Sequence, residues 1–102
     1  MKKVIIQFSF PGLSVKTYDK AWEELRSKGH SHPKGLLHHV GGLQGNNLIV
    51  VDVWESEEAF NKFGEVLMPI LKNVGFPNIK PVITPVHYEY VGEGVLSGRK
   101  AA

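Results

Sequence analysis

The chain has 102 residues, 42% of them apolar and 22% charged, with a formal charge of +2. That is the balance of one soluble domain with a modest core. The small charge and the scattered Lys and Arg argue against a nucleic-acid partner. No stretch approaches the roughly 18 apolar residues of a membrane span. The absence of cysteine excludes disulfides, thiolate metal ligands and a Cys nucleophile, and it fits a cytoplasmic location.

Residues 3–10, KVIIQFSF, are β-branched and aromatic, and Pro11-Gly12 closes them, which predicts a first strand. Lys2-Lys3-Val4-Ile5-Ile6 begins like a signal peptide, but Gln7 and Ser9 interrupt the apolar run. Ser14 caps a helix whose apolar stripe is Val15, Tyr18, Ala21, Trp22 and Leu25, and Gly29 stops it. A polar connection, HSHPKG (30–35), follows. Residues 36–43 and 47–54 predict a β-hairpin turned at Gly45-Asn46. Gly41-Gly42 is a place where a bulge could shift its register.

Ser56 caps a second helix with Glu57 and Glu58 in its first turn. Its stripe is Ala59, Phe60, Phe63, Leu67, Ile70, Leu71 and Val74. Pro69 lies inside that stripe and should kink or break the helix near residues 65–68. Residues 81–91, PVITPVHYEYV, predict the last strand. Pro85 within it requires an edge position or a bulge. Residues 92–102 lack a clear period and are expected to form a flexible tail, which leaves residues 1–91 as a single domain.

The order β-α-β-β-α-β predicts an α+β, ferredoxin-like fold: a four-stranded antiparallel sheet with both helices on one face. Strands one and three would then be central. Both are apolar on both faces, apart from Asp52 in LIVVDVW (48–54). Two helices cover only one face, so the other is expected to meet a second copy in a two-fold homodimer. The alternative is a monomer whose loops cap the sheet.

The first strand, the segment VVDVWESEEAF (50–60), Phe63 and the strand VITPVHYEY (82–90) resemble the dimeric α/β-barrel superfamily, near the antibiotic-biosynthesis-monooxygenase-like proteins. The resemblance covers about residues 3–91. It implies two ferredoxin-like sheets packed face to face, with a small cavity between sheet and helices in each subunit. It also implies a chemistry drawn from a set that includes cofactor-independent oxygenases and haem-degrading enzymes. WESEEAF marks a strand end, a cap and a helix start; it specifies fold more than activity.

Asp52 sits in a strand expected to be buried, where a carboxylate needs partners. If Gly45-Asn46 is the turn, His39 lies directly opposite Asp52 on the same face. A carboxylate that orients and charges an imidazole makes a general acid or base. The competing reading is a structural ion pair, and a one-residue slip would replace His39 with Val40. The resemblance also favours His39 over His38. Trp54, Tyr18 and Trp22 are candidate walls of a substrate pocket, although aromatics at helical spacing usually serve the core.

His30-Ser31-His32 could chelate a metal, but there is no His-Glu-x-x-His helix and no repeated carboxylate–His spacing. No metal is therefore expected. No flavin, haem, nicotinamide or phosphate-binding motif is present, and no cofactor is expected. Two readings stand. One is a monooxygenase-like enzyme acting on a small aromatic or hydrophobic metabolite through a His39/Asp52 acid–base pair. The other is a non-catalytic dimer that binds a small ligand or serves as an accessory. The first expects a partly apolar pocket of about 300 Å³ or more reached by His39.

Overall fold

The computed structural model describes residues 2–92; all but the first residue of the expected tail, 93–102, lie outside them. The elements are β1 (Val4–Pro11), α1 (Val15–Ser27), β2 (Leu36–Gln44), β3 (Asn47–Trp54), α2 (Glu57–Val74) and β4 (Val82–Pro85). They form a four-stranded sheet of order β2-β3-β1-β4 in which every pairing is antiparallel. This is the ferredoxin-like α+β arrangement, with β1 and β3 central and β2 and β4 at the edges.

Alternation sets the layers. Val4, Ile6, Phe8 and Phe10 of β1 and Leu48, Val50 and Trp54 of β3 form the core on the helix side. Tyr18, Phe60 and Phe63 of the two helices pack against it. Ser14 accepts a hydrogen bond from the Thr17 amide and Ser56 from the Ala59 amide, so both expected caps begin their helices.

Three local expectations are corrected. Of the kink or break expected at Pro69, the break is absent: one helix runs from Glu57 to Val74. Its buried stripe lies on both sides of the proline, and that packing outweighs one missing backbone donor. Pairing of β2 with β3 is continuous through Gly41 and Gly42. The irregularity falls between Leu36 and His38, so Leu37 is the extra residue. β4 is four residues long, not eleven, with Pro85 as its last member on an edge. The turn Gly45-Asn46 is as expected, with Gly45 at φ 60°.

Candidate active site

The hairpin register places His39 of β2 opposite Asp52 of β3, and Ile6 of β1 lies on the other side of Asp52. All three face the helices. Asp52 is only 7% exposed beside a fully buried Ile6, so its charge must be met by neighbours. Both of its oxygens are. His39 Nδ1–H donates to Oδ1 at 2.5 Å, and the Trp54 indole N–H donates to Oδ2 at 3.1 Å. Among the described residues no buried polar side-chain atom lacks a partner.

The chain of bonds continues beyond His39. Its Nε2 meets the Tyr18 hydroxyl of α1 at 2.5 Å. The two rings are parallel to within 7° with centroids 6.0 Å apart. With so short a contact, that is an end-to-end arrangement, which points the hydroxyl at the in-plane lone pair of Nε2. A carboxylate only accepts, so Nδ1 carries the imidazole proton, Nε2 accepts, and the Tyr18 O–H donates. The order of donors is therefore Trp54 to Asp52, His39 to Asp52, and Tyr18 to His39.

Tyr18 reaches this place because β2 has no side chain beneath it. A Cβ on Gly41, on the same strand face as His39, would stand 2.9 Å from the Tyr18 hydroxyl and 3.0 Å from Cζ. Burial pushes the Tyr18 phenol above its ordinary range. The Trp22 indole beside it opposes that shift, while the carboxylates of Asp52 and Asp19 add to it. Trp22 stands edge-on to His39, with centroids 5.0 Å apart and planes at 77°.

These residues line a cavity of about 70 Å³ between sheet and helices, bounded elsewhere by apolar residues such as Phe8, Val50 and Phe63. It is smaller than the roughly 300 Å³ expected of an enzyme pocket, because aromatic side chains fill most of the gap. A second pocket of about 530 Å³ lies toward the end of α2 and shares Phe8, Phe10, Leu71 and Phe76 with the first.

All five sequence-predicted residues, His39, Asp52, Trp54, Tyr18 and Trp22, meet at this cavity. Trp54 does so as a donor to Asp52 and as core, only 1% exposed. What the sequence reading missed is the bond from Tyr18 to His39 and the role of Gly41. The available signal was a glycine two residues from His39 on one strand face, facing a helix that carries an aromatic stripe.

Other polar groups lie elsewhere. His38 is on the opposite sheet face and contacts Glu89, which also pairs with Lys3 at 2.7 Å. His30 and His32 border a separate surface pocket beside the start of α2. Tyr88 and Tyr90 are exposed, beyond the last strand. Among the described residues no group of three or more His, Cys, Asp or Glu side chains could hold a metal ion. No helix among them is long and apolar enough to cross a membrane.

No protein-family model matches the chain, and no curated relative matches it in sequence. Solved structures do match it in fold. A dimeric ferredoxin-like protein from an uncultured marine organism superposes with a TM-score of 0.60 at 20% identity, over 91% of this chain and 95% of that one. A Caulobacter crescentus protein, provisionally assigned as an antibiotic biosynthesis monooxygenase, gives 0.57 at 12% identity, over 87% and 92%. A Streptomyces coelicolor monooxygenase solved with the ligand nanaomycin D gives 0.54 at 17% identity, over 90% and 93%. The chain therefore has the ferredoxin-like fold shared by antibiotic-biosynthesis-monooxygenase-like proteins.

Proposed function

We propose that this protein is a homodimeric, monooxygenase-like enzyme that acts on a small aromatic or hydrophobic metabolite, with His39 and Asp52 as its acid–base pair. One observation carries the reading: four residues joined in a continuous hydrogen-bonded chain, Trp54–Asp52–His39–Tyr18, all line a cavity whose other lining residues are apolar. Asp52 fixes the imidazole and stabilises its charged form; His39 holds the proton that leaves the substrate. An electron-rich substrate, once deprotonated, reduces dioxygen itself, so the reading asks for no group beyond substrate and oxygen. The Streptomyces neighbour was solved with nanaomycin D bound, which supports a small organic ligand for this fold.

The homodimer reading rests on the open sheet face. Ile5, Ile49, Val51 and Val53 are only half-buried there, and Val40 and Val82 are each 63% exposed. A second copy would cover them. The neighbour described as dimeric supports this.

The cavity volume of about 70 Å³ favours a second reading, a dimer that binds a small ligand without turning it over. Oxygen uptake separates the two. With a hydroxylated naphthalene in air, wild-type protein is expected to consume oxygen, and His39→Ala to do so about 100-fold more slowly or worse. Asp52→Asn should fall between them. Equal uptake by His39→Ala overturns the acid–base assignment. Binding without uptake by the wild type selects the second reading.

A further inference from the structure

Every hydrogen-bonding position of His39 is already taken. Nδ1 is committed to Asp52 and Nε2 to Tyr18, each at 2.5 Å. A ligand in the cavity cannot hydrogen-bond to the imidazole while Tyr18 stays in place, but it can approach the Tyr18 side chain, which also lines the cavity and whose oxygen has a lone pair to spare. Among the described residues the cavity wall contains no Lys or Arg. It does contain the carboxylate of Asp52. An anionic ligand would meet repulsion there and no counter-charge.

We propose that Tyr18 is a catalytic residue, the group that exchanges the proton with the hydroxyl of the ligand, and that the ligand enters in its neutral, protonated form. This rests on the acid–base reading of the site and deepens it. The transfer is a concerted shift of two protons. The ligand O–H bond breaks as a new O–H bond forms on the Tyr18 oxygen. The original Tyr18 O–H bond breaks as an N–H bond forms on His39 Nε2. The ligand ends as an oxyanion and Tyr18 as a phenol again, while His39 becomes an imidazolium paired with the Asp52 carboxylate. No electron moves and no further reactant is needed. Burial disfavours a free Tyr18 phenolate, and the concerted path never accumulates one. Gly41 is the positioning residue, because any side chain there would push the Tyr18 hydroxyl off Nε2.

The test uses 4-nitrophenol, whose phenolate is yellow and whose acid is not, at a pH where the free probe is overwhelmingly the acid. Wild-type protein is expected to yellow the bound probe, with protonation of His39 Nε2 seen by ¹⁵N NMR. Tyr18→Phe should bind the probe with a Kd within about threefold of wild type. Its bound phenolate fraction should be about tenfold lower, the effect of losing one hydrogen bond to a charged group. Gly41→Ala keeps the phenol but displaces it, and should show the same loss. Gly42→Ala, whose added methyl meets nothing within 4 Å, should behave as wild type. Undiminished yellowing in both Tyr18→Phe and Gly41→Ala overturns the role of Tyr18 and leaves His39 acting directly. Undiminished yellowing in His39→Ala, or no binding of the probe by wild type, overturns the acid–base reading beneath it.

Discussion

The two faces of the sheet treat polar groups in opposite ways. On the helix-covered face Ile6 is 0%, Leu48 1% and Trp54 1% exposed. Among the described residues the one carboxylate of that sheet face, Asp52, has both oxygens hydrogen-bonded. On the open face Val40 and Val82 are 63% exposed, and the charged groups Lys3, Glu89 and His38 pair at its margin, within reach of water. Where water is excluded an unpaired polar atom is costly, so the partners of Asp52, His39 and Tyr18 hold fixed positions. Where water is present, pairing is optional and weak. The covered face therefore holds its polar groups in one fixed arrangement. On the open face it is the apolar residues that call for a partner.

The largest expected effect is on the covered face. Trp54→Ala removes a buried indole and the donor to Asp52 Oδ2, and should cost about 3–5 kcal/mol in urea denaturation. Trp54→Phe keeps most of the volume and loses the donor, so it should cost less, about 1–3 kcal/mol. Equal stability of Trp54→Phe and wild type would mean that Asp52 does not depend on this bond. The matching change on the open face is Val51→Lys. It should leave the stability of an isolated subunit within about 0.5 kcal/mol while abolishing the dimer in light scattering. Unchanged dimers would remove this face as the interface and leave its exposed valines without a role.

A smaller effect tests how dry the covered face is at its edge. The folded chain holds the Tyr18 proton to a higher pH than the unfolded chain, because burial disfavours the phenolate, with the Trp22 indole opposing and Asp52 and Asp19 adding. The stability this contributes is fully present below the ordinary phenol value of about 10. It is lost as pH rises through the raised value. The wild-type phenolate absorbance minus that of Tyr18→Phe should isolate one titration, above 10. A midpoint at or below that value would mean that water reaches the hydroxyl freely.

Local signals made most of the fold legible. Caps at Ser14 and Ser56, the turn at Gly45-Asn46 and the change from period two to period 3.6 set the element order. The turn alone set the pairing of His39 with Asp52, because in a hairpin the turn fixes register. Three things depend on packing and were not legible. Pro69 reads as a breaker, yet apolar residues on both sides of it hold α2 to one surface. The extra residue at Leu37 carries no glycine to mark it. The stripe of α1 shows that Tyr18 faces inward, but which strand residue it meets depends on how the helix lies on the sheet.

The smallest effect concerns the margin of the open face. Glu89 accepts from Lys3 at 2.7 Å and pairs with His38 at 2.9 Å. Just before it, the Val86 amide donates to the Lys3 carbonyl. The segment after β4 is thus tied to the start of β1 and to the edge strand β2. Lys3 first, and His38 after it, hold the Glu89 carboxyl below its ordinary range. Between that lowered value and the ordinary one the folded chain binds fewer protons than the unfolded chain, so the tie strengthens as pH rises through this window. It is complete above the ordinary carboxylate range and lost as pH falls through the lowered value. The Glu89 side-chain carboxyl carbon, followed by NMR, should titrate below the ordinary Glu value of about 4.3. Lys3→Ala should move it back most of the way, and His38→Ala less. If neither variant moves it, the contacts are surface proximity without coupling, and the margin of the open face is held by the backbone alone.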